Sequence, residues 1–246
     1  MSKIAIIIPS RLSAKRLLNK PLKVINKKEM ILHVYDVAIK ANIGEVFVAT
    51  PDEEIIKVVQ KYGGKAVITK NEHKTGTDRI FEVFEKELKK KPEFIINLQG
   101  DMPTISPKTI NSLLDYKLLV NSDIYTLATE IINNEEKHDP NVVKVVISKA
   151  YKNSFGKALY FSRSPVPYGK GPLYHHIGIY GYTRESLERF VKLKPSELEL
   201  RESLEQLRAM EANMDVHVGI IDEIPIGVDN LADFKKACEY IKKNKD

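Results

Sequence analysis

Arg11, Lys15, Arg16 and Lys20 fall within ten residues, in the loop that follows the apolar run Ile4–Ile8. Cations packed this densely behind a strand could neutralise a triphosphate, the arginines through forked contacts and the lysines as point charges. The same spacing also suits a solvated basic loop. The glycine pattern of a Walker loop is absent and no Gly-x-Gly-x-x-Gly follows a strand, so neither a P-loop nor a dinucleotide fold is supported. A second candidate is Asp101, in Gln99-Gly100-Asp101-Met102-Pro103 directly behind Phe94–Leu98. A carboxylate there can hold Mg²⁺, which takes one or two carboxylates and fills its octahedron with phosphate oxygens and water; it can equally close a turn. Asp229, in Gly227-Val228-Asp229-Asn230-Leu231, reads either as a second metal carboxylate or as the N-cap of the last helix. There is no Cys/His cluster, His-Glu-x-x-His or Gly-x-Ser-x-Gly, which leaves zinc and serine-hydrolase chemistry without a foothold.

These residues need a scaffold that brings strand ends together. The first half alternates strand and helix: Ile4–Ile8, a helix marked by Ile31, Val34, Tyr35 and Ala38, Glu45–Ala49, a helix from Asp52 to Tyr62 stopped by Gly63-Gly64, Ala66–Thr69, a helix from Thr77 to about Lys90, and Phe94–Leu98. Pro107 suits the first turn of the next helix. This alternation predicts an α/β fold, a mostly parallel, Rossmann-like sheet with helices on both faces. From about 125 to 200 the pattern turns β-rich, with strands at Ile124–Ile131, Val142–Ser148, Ala158–Ser162 and Ile177–Tyr182. Helices near Arg184–Val191 and Arg201–Ala212, a strand at Val216–Ile221 and a helix at Leu231–Ile241 complete the chain. The expectation is one domain over 1–246 with an inserted antiparallel patch that serves the second substrate or a dimer contact. In open α/β sheets ligands bind beyond the carboxyl ends of the strands, where the three candidates fall.

Composition narrows the class. The chain has 246 residues, 43% hydrophobic and 29% charged, with one cysteine and a net charge of +6. That is an ordinary globular balance, with no disulfide framework. Cys238 is in helical step with Phe234 and Ile241, which places it in a core. The lysine runs at Lys89–Lys91 and around Lys242, Lys243 and Lys245 read as solvated helix ends. The basic balance admits polyanions, but no nucleic-acid-binding motif appears. No apolar stretch is long enough to span a membrane and no signal peptide is visible, so a cytoplasmic setting is expected.

The motifs taken together resemble a family. Ile-Pro-Ser-Arg followed by Arg-Leu and Lys-Pro-Leu, then Gly76-Thr77-Asp78-Arg79 and Gln99-Gly100-Asp101, look like a cytidylyltransferase of the sugar-acid type. The stretches Asp139–Val146, Ala158–Arg163, His176–Tyr182, Leu204–Arg208 and Gly227–Asp229, in that order, resemble the 3-deoxy-manno-octulosonate (Kdo) cytidylyltransferases over about residues 4–240. The resemblance implies transfer of CMP from CTP to the anomeric hydroxyl of Kdo, with release of pyrophosphate, in lipopolysaccharide synthesis by a homodimer. It implies catalytic roles for Arg11, Lys20, Asp101 and Asp229, with Mg²⁺ held by the two aspartates. It assigns Ser10, Arg11, Lys20, Arg79 and Gln99 to the nucleotide, and Gln99, Arg163, His176, Tyr180, Glu205 and Gln206 to the sugar acid. Taken without the motif, His176 reads as a buried structural histidine. An acceptor related to Kdo, an amino analogue or a sialic acid, fits the same motifs, as does a non-catalytic nucleotide-binding relative. Against the usual family loop, Ala14-Lys15 replaces two hydroxyl residues and Leu18-Asn19 replaces Pro-Gly, so Asn19 must take the glycine's backbone conformation. Met102 stands where the family has glutamate, and the segment Tyr168–Tyr174 is short.

Overall fold

The computed structural model describes residues 3–13, 16–88, 92–151 and 154–244. Lys15, the Lys89–Lys91 run and Lys245 lie outside them. The chain forms two compact units, Met1–Asn111 with Pro225–Asp246, and Ser112–Ile224.

The first unit begins with β1 (Ile4–Pro9), whose Ile6, Ile7 and Ile8 are fully buried. A run apolar on both faces is what a central parallel strand requires. A small hairpin follows, β2 (Val24–Ile25) and β3 (Lys28–Glu29). Asn26 and Lys27 turn it with φ of 51° and 67°, the doubly left-handed geometry of a tight hairpin. With lysine in place of the usual glycine, no turn signal marked it in the sequence. Then come α1 (Met30–Ala41), β4 (Glu45–Thr50), α2 (Glu53–Lys61), β5 (Ala66–Ile68), α3 (Gly76–Lys86) and β6 (Phe94–Asn97). The helix stripe of Ile31, Val34, Tyr35 and Ala38 is buried as its spacing demands. The strands of this unit run in the order β5-β4-β1-β6, all parallel, with Ile6 opposite both Val46 and Ile96. Helix α4 (Pro107–Leu119) starts at its proline as expected, and the division between the units falls within it.

The second unit contains β7 (Ile124–Glu130), α5 (Asn134–His138), β8 (Lys144–Tyr151), β9 (Phe155–Ser162), β10 (Tyr174–Thr183), α6 (Arg184–Phe190), α7 (Glu197–Glu202), α8 (Gln206–Glu211) and β11 (Val216–Ile220). Its strands pair in the order β10-β7-β11-β9-β8, and β8 returns to pair with the start of β10, so the pairings close a circuit. Only β11–β7 is parallel here; β10–β7, β11–β9 and β8–β9 are antiparallel. The sheet is therefore mixed, with the parallel pairings concentrated in the first unit. One expectation is corrected: the helix read over Arg201–Ala212 is two, because Ser203 takes φ 55° and ends α7. A left-handed residue cannot continue a right-handed helix.

The chain returns to the first unit with α9 (Leu231–Lys243). Its Ala237, Phe234, Cys238 and Ile241 pack with Leu17, Ile25, Met30 and Val228. Cys238 is thus a half-buried thiol at the edge of this core, and burial raises its pKa. Burying one leucine-sized side chain contributes about 1.5–3 kcal/mol, so Leu17 anchors the basic loop more firmly than any exposed ion pair within it.

Candidate active site

Beyond the carboxyl ends of β1 and β6, a cavity of about 280 Å³ opens within the first unit. Ser10, Arg11, Lys20, Arg79, Gln99 and Asp101, all singled out in the sequence, line it together. The left-handed turn expected of Asn19 is there, at φ 52° and ψ 30°. It leads into a single 3-10 turn, Lys20–Leu22, whose Pro21 is buried. Asparagine tolerates this conformation better than most residues, so the loop reaches the site without the family's glycine.

Lys20 is the hub. Its side chain is only 13% exposed, and Nζ donates to Asp101 Oδ2 at 3.0 Å and to the Val228 carbonyl at 2.7 Å. Asp229 Oδ1 lies 3.5 Å from the same nitrogen, and Arg16 Nη2 is 3.2 Å from Asp229 Oδ2. Two carboxylates from distant parts of the chain therefore converge on one cationic centre. The backbone locks the convergence, since the Val228 amide donates to the Asp101 carbonyl at 2.9 Å. The cap question is also answered. Asn230, not Asp229, caps α9, its side chain accepting from the amides of Ala232 and Asp233 at 2.8 and 3.1 Å. Asp229 keeps its carboxylate for the cluster. Arg16, noted in the sequence only as one of four loop cations, belongs to this cluster.

On another wall, Thr75 caps α3 by accepting from the Asp78 amide at 3.1 Å, and Thr75 and Gly76 line the cavity. A helix N-terminus favours anions. Gly76 packs closely here: a Cβ would sit 3.1 Å from Pro9, so that the proline would have to give by a few tenths of an ångström. Arg79 is 3% exposed and donates through Nη1 to Thr69 Oγ1 at 2.5 Å and to the Lys70 carbonyl at 3.1 Å. Burial, then the nearby Arg11 charge, lowers its pKa. Gln99 Nε2 donates to Asn97 Oδ1 at 3.1 Å, which aims its amide. Ser10 is 7% exposed and its buried Oγ has no protein partner. Such a hydroxyl is costly unless something bonds to it.

The remaining expected residues lie in the second unit. His176 is buried, its Nε2 2.9 Å from Thr126 Oγ1 and its ring 4.9 Å from Phe161 and 5.4 Å from Tyr180. Thr126 Oγ1 also reaches the Ile177 and Ile179 carbonyls at 3.2 and 2.7 Å, spanning a register shift in β10 between Ile177 and Tyr180. Bulges of this kind re-aim side chains next to sites. The hydroxyl's one proton goes to a carbonyl, so His176 donates from Nε2. Tyr180 has its pKa raised well above the ordinary value by burial, then by Tyr182 and Glu205. Gln206 is 5% exposed, with a buried Nε2 that finds no protein partner.

Arg163, expected at the sugar acid, is held by backbone carbonyls. Its Nε donates to the Glu202 carbonyl at 2.8 Å, Nη1 to the Pro140 carbonyl at 2.8 Å and Nη2 to the Ser203 carbonyl at 3.3 Å. These contacts make it a clamp on the 139–141 turn and the end of α7, and they use three of the five guanidinium N–H groups. Lys144, which the sequence did not single out, is fully buried beside it and donates to the Asp139, Val142 and Arg163 carbonyls at 2.8, 2.6 and 2.9 Å. No spacing signal marks such a lysine, because its partners are backbone atoms.

Burial lowers the pKa of His176 to about 3 and, together with Lys144, that of His175 to about 4. Both are neutral in the fold, while the unfolded chain takes up protons below about 6.5. Stability therefore falls as pH drops from about 6.5 toward 3, because the unfolded state binds more protons there. Urea midpoints measured across that range fall less steeply for His176→Gln than for the unsubstituted chain.

A cation-rich cavity at strand ends with converging carboxylates is what a nucleotidyl-transferring protein needs. The family model described as Cytidylyltransferase matches residues 5–216. The solved structure of CMP:2-keto-3-deoxy-manno-octonic acid synthetase complexed with CTP superposes with a TM-score of 0.90 at 39% identity, covering 98% of this chain and 99% of that one. The fold is thus the α/β nucleotidyltransferase fold. The 3-deoxy-manno-octulosonate cytidylyltransferase of Brucella ovis is 50% identical over 235 residues, covering 95% of this chain and 94% of the relative. That of Bartonella tribocorum is 49% identical over 239 residues, covering 96% and 97%. The chain belongs to the 3-deoxy-manno-octulosonate cytidylyltransferase family.

Proposed function

We propose that this chain transfers CMP from CTP to the anomeric hydroxyl of 3-deoxy-manno-octulosonate, giving CMP-Kdo and pyrophosphate for lipopolysaccharide synthesis. The observation that carries the reading is the convergence of Asp101 and Asp229 on the Lys20 ammonium at the mouth of a cation-lined cavity. The names of the relatives supply the substrates. Both substrates are anions and repel each other, so catalysis here is positioning and charge neutralisation more than covalent help. Arg11, Lys20 and the α3 N-terminus hold the triphosphate. Ser10, Arg79 and Gln99 orient the nucleotide, and Ser10 Oγ offers it an otherwise unmet hydrogen bond. His176, Tyr180, Glu205 and Gln206 receive the sugar acid, the Gln206 amide having donors to give. Arg163 contributes by holding the 139–141 turn.

Mg²⁺ fits the residues present. Asp101 and Asp229 supply two hard carboxylate oxygens already gathered around one cationic centre, the number Mg²⁺ takes beside phosphates and water. Among the described residues no group of three or more His, Cys, Asp or Glu could make a fuller cage. When bound, the ion polarises the α-phosphate and acidifies the attacking hydroxyl. Asp101 and Asp229 would hold it, and Lys20 balances their charge.

A homodimer belongs to the same proposal. Leu159 on β9, Ile132 after β7 and Leu200 on α7 expose large apolar side chains in the second unit, and light scattering decides the assembly state. A cytoplasmic setting follows from the need for CTP; no helix of the described residues is long and apolar enough to cross a membrane. Pyrophosphate release in the presence of Mg²⁺ tests the reaction. Release is expected only with CTP and Kdo together, and not with UTP or ATP. Release with a sialic acid but not Kdo would move the acceptor; none with any sugar acid would overturn transferase activity.

A further inference from the structure

One wall of the cavity has no regular structure of its own. Residues 69–75 run irregularly from β5 to α3, and His73, Lys74 and Thr75 at the far end of this loop face the cavity. Its start is tied to the sheet by the Thr69 amide donating to the Thr50 carbonyl at 2.8 Å. The rest is tied by two side chains of α3. Arg79 takes Thr69 Oγ1 and the Lys70 carbonyl, as described above. Glu82, three residues further along the helix and so on the same face, accepts from the Lys70 amide at 2.9 Å. His73 Nε2 lies 2.5 Å from the same carboxylate oxygen, and Lys86 holds the other oxygen. The Glu82 side chain is only 9% exposed. Burial alone would raise its pKa, but the bonds from Lys86, His73 and Lys70 bring it down to about 2, so the carboxylate stays charged and keeps its donors.

We infer that Glu82 is a positioning residue for nucleotide binding: its carboxylate, through His73 and the Lys70 amide, sets where the His73–Gly76 wall meets the bound nucleotide. The inference rests on the functional reading above. Glu82 touches no substrate itself. A charge-assisted bond between a helix carboxylate and a loop histidine is strong and directional. Among the described contacts it is the side-chain tether between Lys70, where the Arg79 contacts stop, and the Thr75 cap. A wall held off its place weakens its contacts to the bound nucleotide, and one hydrogen bond to a charged group is worth about tenfold in affinity.

The test compares Glu82→Gln, His73→Ala and His73→Gln in the full chain. An amide at position 82 keeps one accepting oxygen but loses the charge and turns its N–H groups toward the donors on the other side, so Glu82→Gln should raise the dissociation constant for CTP, read by calorimetry without acceptor, by about tenfold. The KM for CTP should rise with it, while the KM for Kdo and the rate at saturating CTP stay within about twofold. His73→Ala, which leaves Glu82 paired with Lys86 and preserves the helix, should give the same CTP-selective loss. His73→Gln keeps a donor at the same reach and should restore most of the affinity. Folded variants that bind CTP as well as the unsubstituted chain overturn the inference alone. Equal losses toward CTP and Kdo also overturn it, since they indicate general loosening. If the unsubstituted chain binds no CTP, the functional reading falls and this inference with it.

Discussion

Asp229→Asn lowers the rate of pyrophosphate release by about 10²–10³-fold, the usual cost of losing one group that stabilises charge in a transition state. Asp101→Asn does the same. Each substitution keeps the shape and removes the charge that Lys20 and Arg16 now face. The fold should survive, because the Asp229 side chain is 46% exposed and that of Asp101 34%, and ion pairs at such exposure contribute at most about 1 kcal/mol. The cap of α9 is untouched in either variant, since Asn230 supplies it. Steady-state kinetics alongside a thermal melt check the prediction. Full activity in either variant, with an unchanged melt, would sink the two-carboxylate metal site.

The largest loss of stability is expected in the second unit. Arg208 donates from Nε and Nη2 to the two oxygens of Glu199 at 2.7 and 2.5 Å, with its side chain 6% exposed and that of Glu199 11%. The guanidinium lies 5.2 Å from the Phe190 ring centroid and reaches the Leu193 carbonyl at 3.3 Å. Glu199 also accepts from the Ser196 amide at 3.1 Å and so closes the capping box of α7. Glu199→Ala leaves a buried guanidinium without its counter-charge, which costs about 3–5 kcal/mol. Urea unfolding reads this directly. Replacing both partners by apolar residues of similar volume should recover much of the loss, because it removes the stranded charge. If the single variant loses less than about 1 kcal/mol, the pair is not a closed one.

How much of this could be read from the chain depends on where the information sits. The strands and helices of the first unit were legible because runs such as Ile4–Ile8, and the stripe of Ile31, Val34, Tyr35 and Ala38, carry their burial pattern in their spacing. Arg11 and Asp101 were legible because they fall directly behind those strands, whereas Arg79, inside α3, was named only by the family motif. Features made by tertiary contact were not. Arg163 was named by the family motif; that the carbonyls of Pro140, Glu202 and Ser203 hold it is a fact of the folded chain. Lys144, Glu82 and Glu199 were passed over for the same reason: a charged residue in a strand or helix looks solvated until its partners arrive. Ser203 breaks α7 from α8 through a backbone angle that serine rarely adopts, and no local propensity announces it. His176 remained open in the sequence because it is both a buried histidine and the residue the family motif names.

Asp229 and Asn230 are neighbours of nearly the same size and shape, yet the structure holds them to different standards. Asn230 spends its side chain on two backbone amides, a task that aspartate or serine performs almost as well. Asp229 presents a charge to Lys20 and Arg16, and no neutral residue can replace that. Position 230 is therefore free to drift among cap formers over generations, while position 229 is not, and an exchange of the two residues would preserve the helix and forfeit the chemistry.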